Sequence, residues 1–203
     1  MLGRLVFGGL RCHAESYSSF FLDFPQHAEL IGEMLLGYGE LETSFLDLVA
    51  EVLDMDTAVR ILYRLRGAQS RLDVGDAILR PVLTELKLKG QYMQWLGAIR
   101  HCKRIRNQFA HCAWLAEHGR LYLADFEESA NSAEGVTGLQ FHGVDLPLLE
   151  EQHSFFLYTL DVSLHLLAEL RYRMDRRRRH KLLPVKSRAV PSLHNPPHLQ
   201  IIP

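Results

Sequence analysis

Arg106, Asn107 and His111 stand close together in "RNQFAHCAW" (residues 106–114), and these residue types can do chemistry on a phosphodiester. A guanidinium offers planar, bidentate donors to phosphate oxygens. An imidazole titrates near neutrality in general, so it can take up or release a proton at physiological pH. Asn107 follows the arginine directly and precedes His111 by four, so on a helix Asn107 and His111 stack one turn apart. At 100° per residue, Arg106 and His111 are about 140° apart. Arg100 and Arg104 fall on the side of Asn107 and His111, and with Lys103 they make an electropositive surface suited to phosphate. The same residues also suit an ordinary solvated helix face, and spacing alone does not choose between the two.

The element that must carry them is a helix from Gln91 to about Trp114, with Trp95, Ile99, Cys102, Phe109 and Ala113 on its apolar side. Arg106 falls about 40° from the centre of that side. Burying its charge alone costs several kcal/mol, so it must reach the core edge or meet an acid, for which Glu40, Glu42 and Asp47 are the choices.

Three helices precede this one. "DFPQ" starts the first, with Asp23 near the cap and Pro25 in the first turn, where its missing N–H costs nothing. Ile31, Met34, Tyr38, Leu41, Phe45, Leu48 and Val52 then form one apolar stripe, ending about Leu53. Gly37 and Gly39 interrupt it at about 1 kcal/mol each, either as a close helix crossing or as a weak middle turn. "DMDTAVRILYRL" predicts a shorter helix capped by Asp56. A third spans Arg71 to Lys89, kinked at Pro81 and closed by Gly90.

After the motif the period changes. "RLYLADF" (residues 120–126) and "GLQFHGV" (residues 138–144) read as paired strands joined by a loop over Glu127 to Thr137. Asp145 and Pro147 open a last long helix, apolar at Leu149, Phe156, Leu160, Leu164 and Leu167. Phe45, Leu48, Ile99, Phe109, Phe156 and Leu160 should share one core. The fold expected is therefore all-α: an antiparallel helical bundle with a small β-hairpin insertion, about 120–144, before the final helix. Residues 1–23 read as an N-terminal extension, 24–177 as the helical domain, and 178–203 as a basic, Pro-rich tail expected to be disordered.

Bulk properties narrow the class. The chain has 203 residues, 47% hydrophobic and 23% charged, with net charge −1, so charge as a whole does not advertise nucleic-acid binding. Basic residues crowd instead into "RRRRHK" (residues 176–181), a solvated tail or a nucleic-acid contact. Cys12, Cys102 and Cys112 are an odd, unpaired set, as expected of reduced thiols in the cytoplasm. The absence of a CxxC or HxxxH spacing argues against a structural zinc site. The N-terminal stretch lacks the apolar core of a signal peptide, and no apolar run approaches the ~18 residues of a membrane span. No Gly-rich phosphate loop appears.

"RIRNQFAHCAW", with "GYGELETSF" on a long helix ahead of it and an amphipathic helix behind, resembles the Arg-x4–6-His signature of the HEPN superfamily. The resemblance covers roughly Phe24 to Arg176. It implies a metal-independent endoribonuclease without cofactor, working as a homodimer whose two motifs form one cleft. Arg106 and His111 would be the catalytic pair, Asn107 the supporting polar residue, and Arg100, Lys103 and Arg104 substrate-binding. RNA is the implied substrate, and a toxin or defence role restrained by an antitoxin or regulatory protein the implied setting. The superfamily also contains inactive members, so a dimeric RNA-binding or protein-interaction module is the alternative.

Overall fold

A computed structural model describes residues 6–7, 10–11, 21–124 and 141–179, with side chains from residue 21 to residue 175 within those ranges. The loop expected over Glu127 to Thr137 and the tail beyond residue 179 lie outside the described residues. In chain order the elements are β1 (Val6–Phe7), β2 (Leu10–Arg11), α1 (Pro25–Val52), α2 (Met55–Leu62), α3 (Ala68–Glu85), α4 (Lys89–His111), β3 (Ala113–Glu117), β4 (Arg120–Ala124), β5 (His142–Val144) and α5 (Leu146–Arg179). The protein is mostly helical with a small antiparallel sheet. Among the described residues no helix is long and apolar enough to cross a membrane.

Local chemistry explains most boundaries. Pro25 takes the first helical position of α1, and the Ala28 N–H donates to the Phe24 carbonyl at 3.0 Å. Asp54, not Asp56, caps α2: its Oδ1 accepts from the Thr57 N–H at 2.9 Å. α3 starts earlier than expected, at Ala68, and runs through Pro81 to Glu85. Its stop is not Gly90, which lies within α4, but the turn at Leu86 and Lys87, where Lys87 has φ of 60°. Asp145 caps α5, accepting from the Leu148 N–H at 3.0 Å.

Two compact units divide the chain: the described residues within 1–35 and 104–153 belong to one, and those within 36–103 and 154–179 to the other. The first contains the sheet. β3, β4 and β5 pair antiparallel in that order, so the expected hairpin is a three-stranded sheet. Trp114 belongs to β3 and not to α4. β3 and β4 join through His118 and Gly119, at φ of 50° and 72°, with Glu117 opposite Arg120. Two consecutive positive φ angles match the twist of a two-residue hairpin loop. Leu121, Leu123 and Val144 are buried here with Ile31, Met34, Ile105, Phe109 and Leu149.

In the second unit α3 and α4 run antiparallel, as Tyr92 bonds Asp76 while Lys103 bonds Gln69. α1 departs from the antiparallel expectation. Gly37 faces Phe156 and Glu51 pairs with Arg171, so α1 and α5 run in the same direction. α1 and α3 also run parallel, with Glu42 opposite Arg71 and Phe45 opposite Gly75. The short α2 returns the chain between them. The core of this unit holds Phe45, Leu48, Trp95, Ile99 and Phe156. Of the six residues expected to share one core, Phe109 belongs to the other unit and Leu160 is only half-buried. Leu164 is 45% exposed, because α5 turns Phe155, Thr159, Ser163 and Leu166 inward instead.

Candidate functional site

Residues 104–111 form the last two turns of α4. Apolar side chains fix their orientation. Ile105 and Phe109 are buried, four residues apart, and define the inward face. Trp114, just past the helix end, stacks on Phe109 with ring centroids 5.8 Å apart, and its indole N–H donates to the Phe109 carbonyl at 3.4 Å. Phe21 also meets that indole edge-on, with ring centroids 5.6 Å apart. This aromatic group holds the exit of the helix where His111 sits.

With that face inward, Arg106 and Asn107 are half-buried, whereas Arg104 and His111 are exposed. Arg106 Nη1 donates to Asn107 Oδ1 at 3.1 Å. The arginine is thus neither sealed in the core nor fully solvated, and the neighbouring amide fixes one arm of its guanidinium. Glu42, one of the three acids considered as its partner, instead pairs with Arg71 at 3.1 Å. His111 is the final residue of α4, one turn after Asn107 as the spacing required.

The other cations are engaged along α3. Arg100 Nη2 donates to Asp73 Oδ1 at 3.2 Å, and Lys103 Nζ donates to Gln69 Oε1 at 3.0 Å. Gln69 Nε2 in turn donates to Asp73 at 2.8 Å. Arg100 and Lys103 lie in the second unit, whereas Arg104, Arg106, Asn107 and His111 lie in the first.

Two neighbours escaped the sequence reading. Gln108 is 8% exposed, and its Oε1 finds no hydrogen-bond partner among the described residues. Its only signal was a polar residue between the two inward positions. Strand β3 was missed because "AWLAE" continues the apolar spacing of α4; the signal that could have found it is its separation from "RLYLA" by the two residues His118 and Gly119. On the buried side of α4, Cys102 lies against Thr159 at 3.6 Å, and burial pushes its thiol up to about 12. It is therefore a packing group and not a nucleophile. Among the described residues no group of three His, Cys, Asp or Glu is placed to hold a metal ion.

Comparison with family models, with curated proteins and with solved structures gives no match in any of the three.

Proposed function

We propose that the chain is a metal-independent endoribonuclease of HEPN type that cleaves RNA through its own 2′-OH. The observation that carries this reading is the Arg106–Asn107 contact at 3.1 Å beside an exposed His111 on the same helix end. In the reaction, the 2′-oxygen forms a bond to phosphorus while the bond from phosphorus to the 5′-oxygen breaks. One imidazole takes the 2′-OH proton, and a second, protonated imidazole gives a proton to the leaving 5′-oxygen. The products are a 2′,3′-cyclic phosphate and a 5′-OH. Proton transfer of this kind is worth about 10²–10⁴-fold. Arg106 stabilises the charge that develops on the phosphoryl oxygens.

Each chain brings one such histidine, so the second imidazole comes from a second copy, and the working species is a homodimer. That arrangement also resolves the splay of Arg106 and His111, about 140° apart around one helix. The bundle is HEPN-like, the protein acts in the cytoplasm on RNA, and an antitoxin or regulatory protein restrains it. Wild type, Arg106→Ala and His111→Ala are incubated with several RNAs in the presence of EDTA. Cleavage lost in both variants supports the nuclease; a wild type inert toward every RNA overturns it.

One observation favours the alternative of a non-catalytic RNA-binding or protein-interaction module. Arg100 and Lys103, expected to hold phosphate, are bonded to Asp73 and Gln69. With these cations engaged, the module reading expects a wild type inert toward RNA, with dimerisation and partner binding unchanged in His111→Ala.

A further inference from the structure

The turn from α2 into α3 concentrates positive charge. Residues 57–72 contain Arg60, Arg64, Arg66 and Arg71 and neither aspartate nor glutamate, in a chain whose net charge is −1. Two of the four are neutralised: Arg60 pairs with Asp56 at 2.9 Å, and Arg71 with Glu42 at 3.1 Å. The remaining nearby acid, Asp54, directs both carboxylate oxygens to Thr57 as the cap of α2. Arg64 and Arg66 are exposed and meet no acid among the described residues.

Beside these cations stands an aromatic ring held in one orientation. Tyr63 closes α2 and is 53% exposed. The Arg71 guanidinium lies over one face of the ring, 5.1 Å from its centre. That guanidinium is itself fixed, because Arg71 donates from Nη1 to Glu42 and from Nε to the Leu65 carbonyl at 3.4 Å. The ring therefore needs little ordering before a flat partner stacks on its open side. Met55 and Val59 precede Tyr63 at steps of four and are 51% and 39% exposed, so apolar surface continues along α2.

We propose that this turn is a landing surface for single-stranded RNA, on which a base stacks against Tyr63 while Arg64 and Arg66 hold neighbouring phosphates. A flat π-face beside guanidinium groups that carry no counter-charge matches what every nucleotide presents, a base plane and a phosphate. An anionic lipid surface or an acidic peptide would meet the same charge but offers no such plane to the ring. For the identity of its ligand this assignment rests on the nuclease reading. It gives the holding of RNA to residues other than Arg100 and Lys103, whose donors go to Asp73 and Gln69. Cleavage is not part of it, because neither Arg106 nor His111 belongs to the surface.

Fluorescence anisotropy on the full chain tests it, with a labelled single-stranded RNA about 12 nucleotides long. Its riboses are 2′-O-methylated, so it carries no nucleophile and survives the titration. Tyr63→Ala should weaken binding about tenfold, the effect of losing one stacked base, whereas Tyr63→Phe keeps the ring and stays near wild type. Arg64→Ala/Arg66→Ala leaves every packed side chain in place. It should reduce the slope of log affinity against log salt by about 1.4, at about 0.7 for each phosphate contact on a single strand. Equal affinity in wild type and Tyr63→Ala, or an equal loss in Tyr63→Phe, overturns the proposal. An unchanged salt slope in the arginine variant overturns it as well. So does capture by phosphatidylserine vesicles that these substitutions abolish while RNA affinity stays put. Cleavage of RNAs with ordinary riboses is followed in parallel. RNAs bound through this turn but never cut overturn the nuclease reading and leave the surface standing. Cleavage by a wild type whose affinity no substitution in this turn alters does the reverse.

Discussion

A β-carbon on Gly75 would collide with Cε1 and Cζ of Phe45 and lie 3.3 Å from Cγ2 of Val49. α3 therefore approaches α1 through the space that this glycine leaves. Alanine would gain about 1 kcal/mol of helix propensity at this position. Forcing a methyl against a ring in a packed core costs typically about 1–3 kcal/mol, and here both Phe45 and Val49 would have to shift. The net effect of Gly75→Ala is destabilising, read as a lower urea midpoint. Adding Phe45→Leu should recover part of the loss, so the double variant should be more stable than the sum of the singles. A higher midpoint for Gly75→Ala alone would mean that the helices do not cross here.

Gly39 gives the opposite sign. Nothing lies within 4 Å of its absent β-carbon, and the residue is exposed on α1. Gly39→Ala should stabilise the protein by about 0.5–1 kcal/mol, the conformational entropy that glycine adds to the unfolded chain. Thermal melts of the two glycine variants side by side check both signs at once.

These glycines show what a single sequence exposes. The stripe along α1 was legible because burial imposes a period on the residues themselves. Which glycine sits at a crossing was not, because the deciding fact is a ring on another helix. Asp56 was expected to cap α2, but the carboxylate that reaches the Thr57 N–H is that of Asp54, because the helix starts at Met55, earlier than the pattern suggests. "AWLAE" continued the apolar spacing of α4, so its strand was hidden until His118 and Gly119 are read as a hairpin loop. The direction of α1 relative to α5 depends on where α2 returns the chain, which no local pattern encodes. At the candidate site, the half-buried arginine and exposed histidine followed from helix geometry. The bond between adjacent Arg106 and Asn107 did not.

Alkaline pH should destabilise the fold through two buried acids. Burial pushes the Cys102 thiol from its ordinary value near 9 up to about 12. Burial, followed by the nearby Asp76 carboxylate, also holds the Tyr92 phenol well above its ordinary value. Both groups bind protons more tightly folded than unfolded, so their contribution is complete below about pH 9 and is lost as pH rises toward 12. Urea midpoints measured from pH 8 to 11 should fall, and Cys102→Ala should flatten the early part of the decline. Iodoacetamide at pH 8 should spare Cys102 in the native protein and modify it in urea.

Acid acts through His27. Partial burial lowers its pKa below 6.5, against the opposing pull of Asp145 and of the Val144 carbonyl. The unfolded chain then binds this proton more readily than the folded one, so stability is lost as pH falls through 6.5. His27→Gln should reduce the slope of stability against pH between about 7 and 5. An unchanged slope would assign the acid sensitivity to other groups.

Asn107 offers the sharpest test of the site, because its amide oxygen holds one arm of the Arg106 guanidinium at 3.1 Å. On the nuclease reading it is a positioning residue, acting through the arginine. Arg106→Ala should lower kcat by about 10²–10³-fold, the usual cost of removing one preorganised donor to developing charge. Asn107→Ala leaves the guanidinium present but unaligned, so its loss should be smaller, confined to kcat, with KM nearly constant. Asn107→Asp should be worse than alanine, since a carboxylate 3 Å away competes with phosphate for the same donor. Asn107→Gln retains the carbonyl on a longer arm and should recover part of the rate. Full activity in Asn107→Ala beside an inactive Arg106→Ala would remove any orienting role from Asn107. Identical residual cleavage in every variant would trace the activity to something other than this helix end.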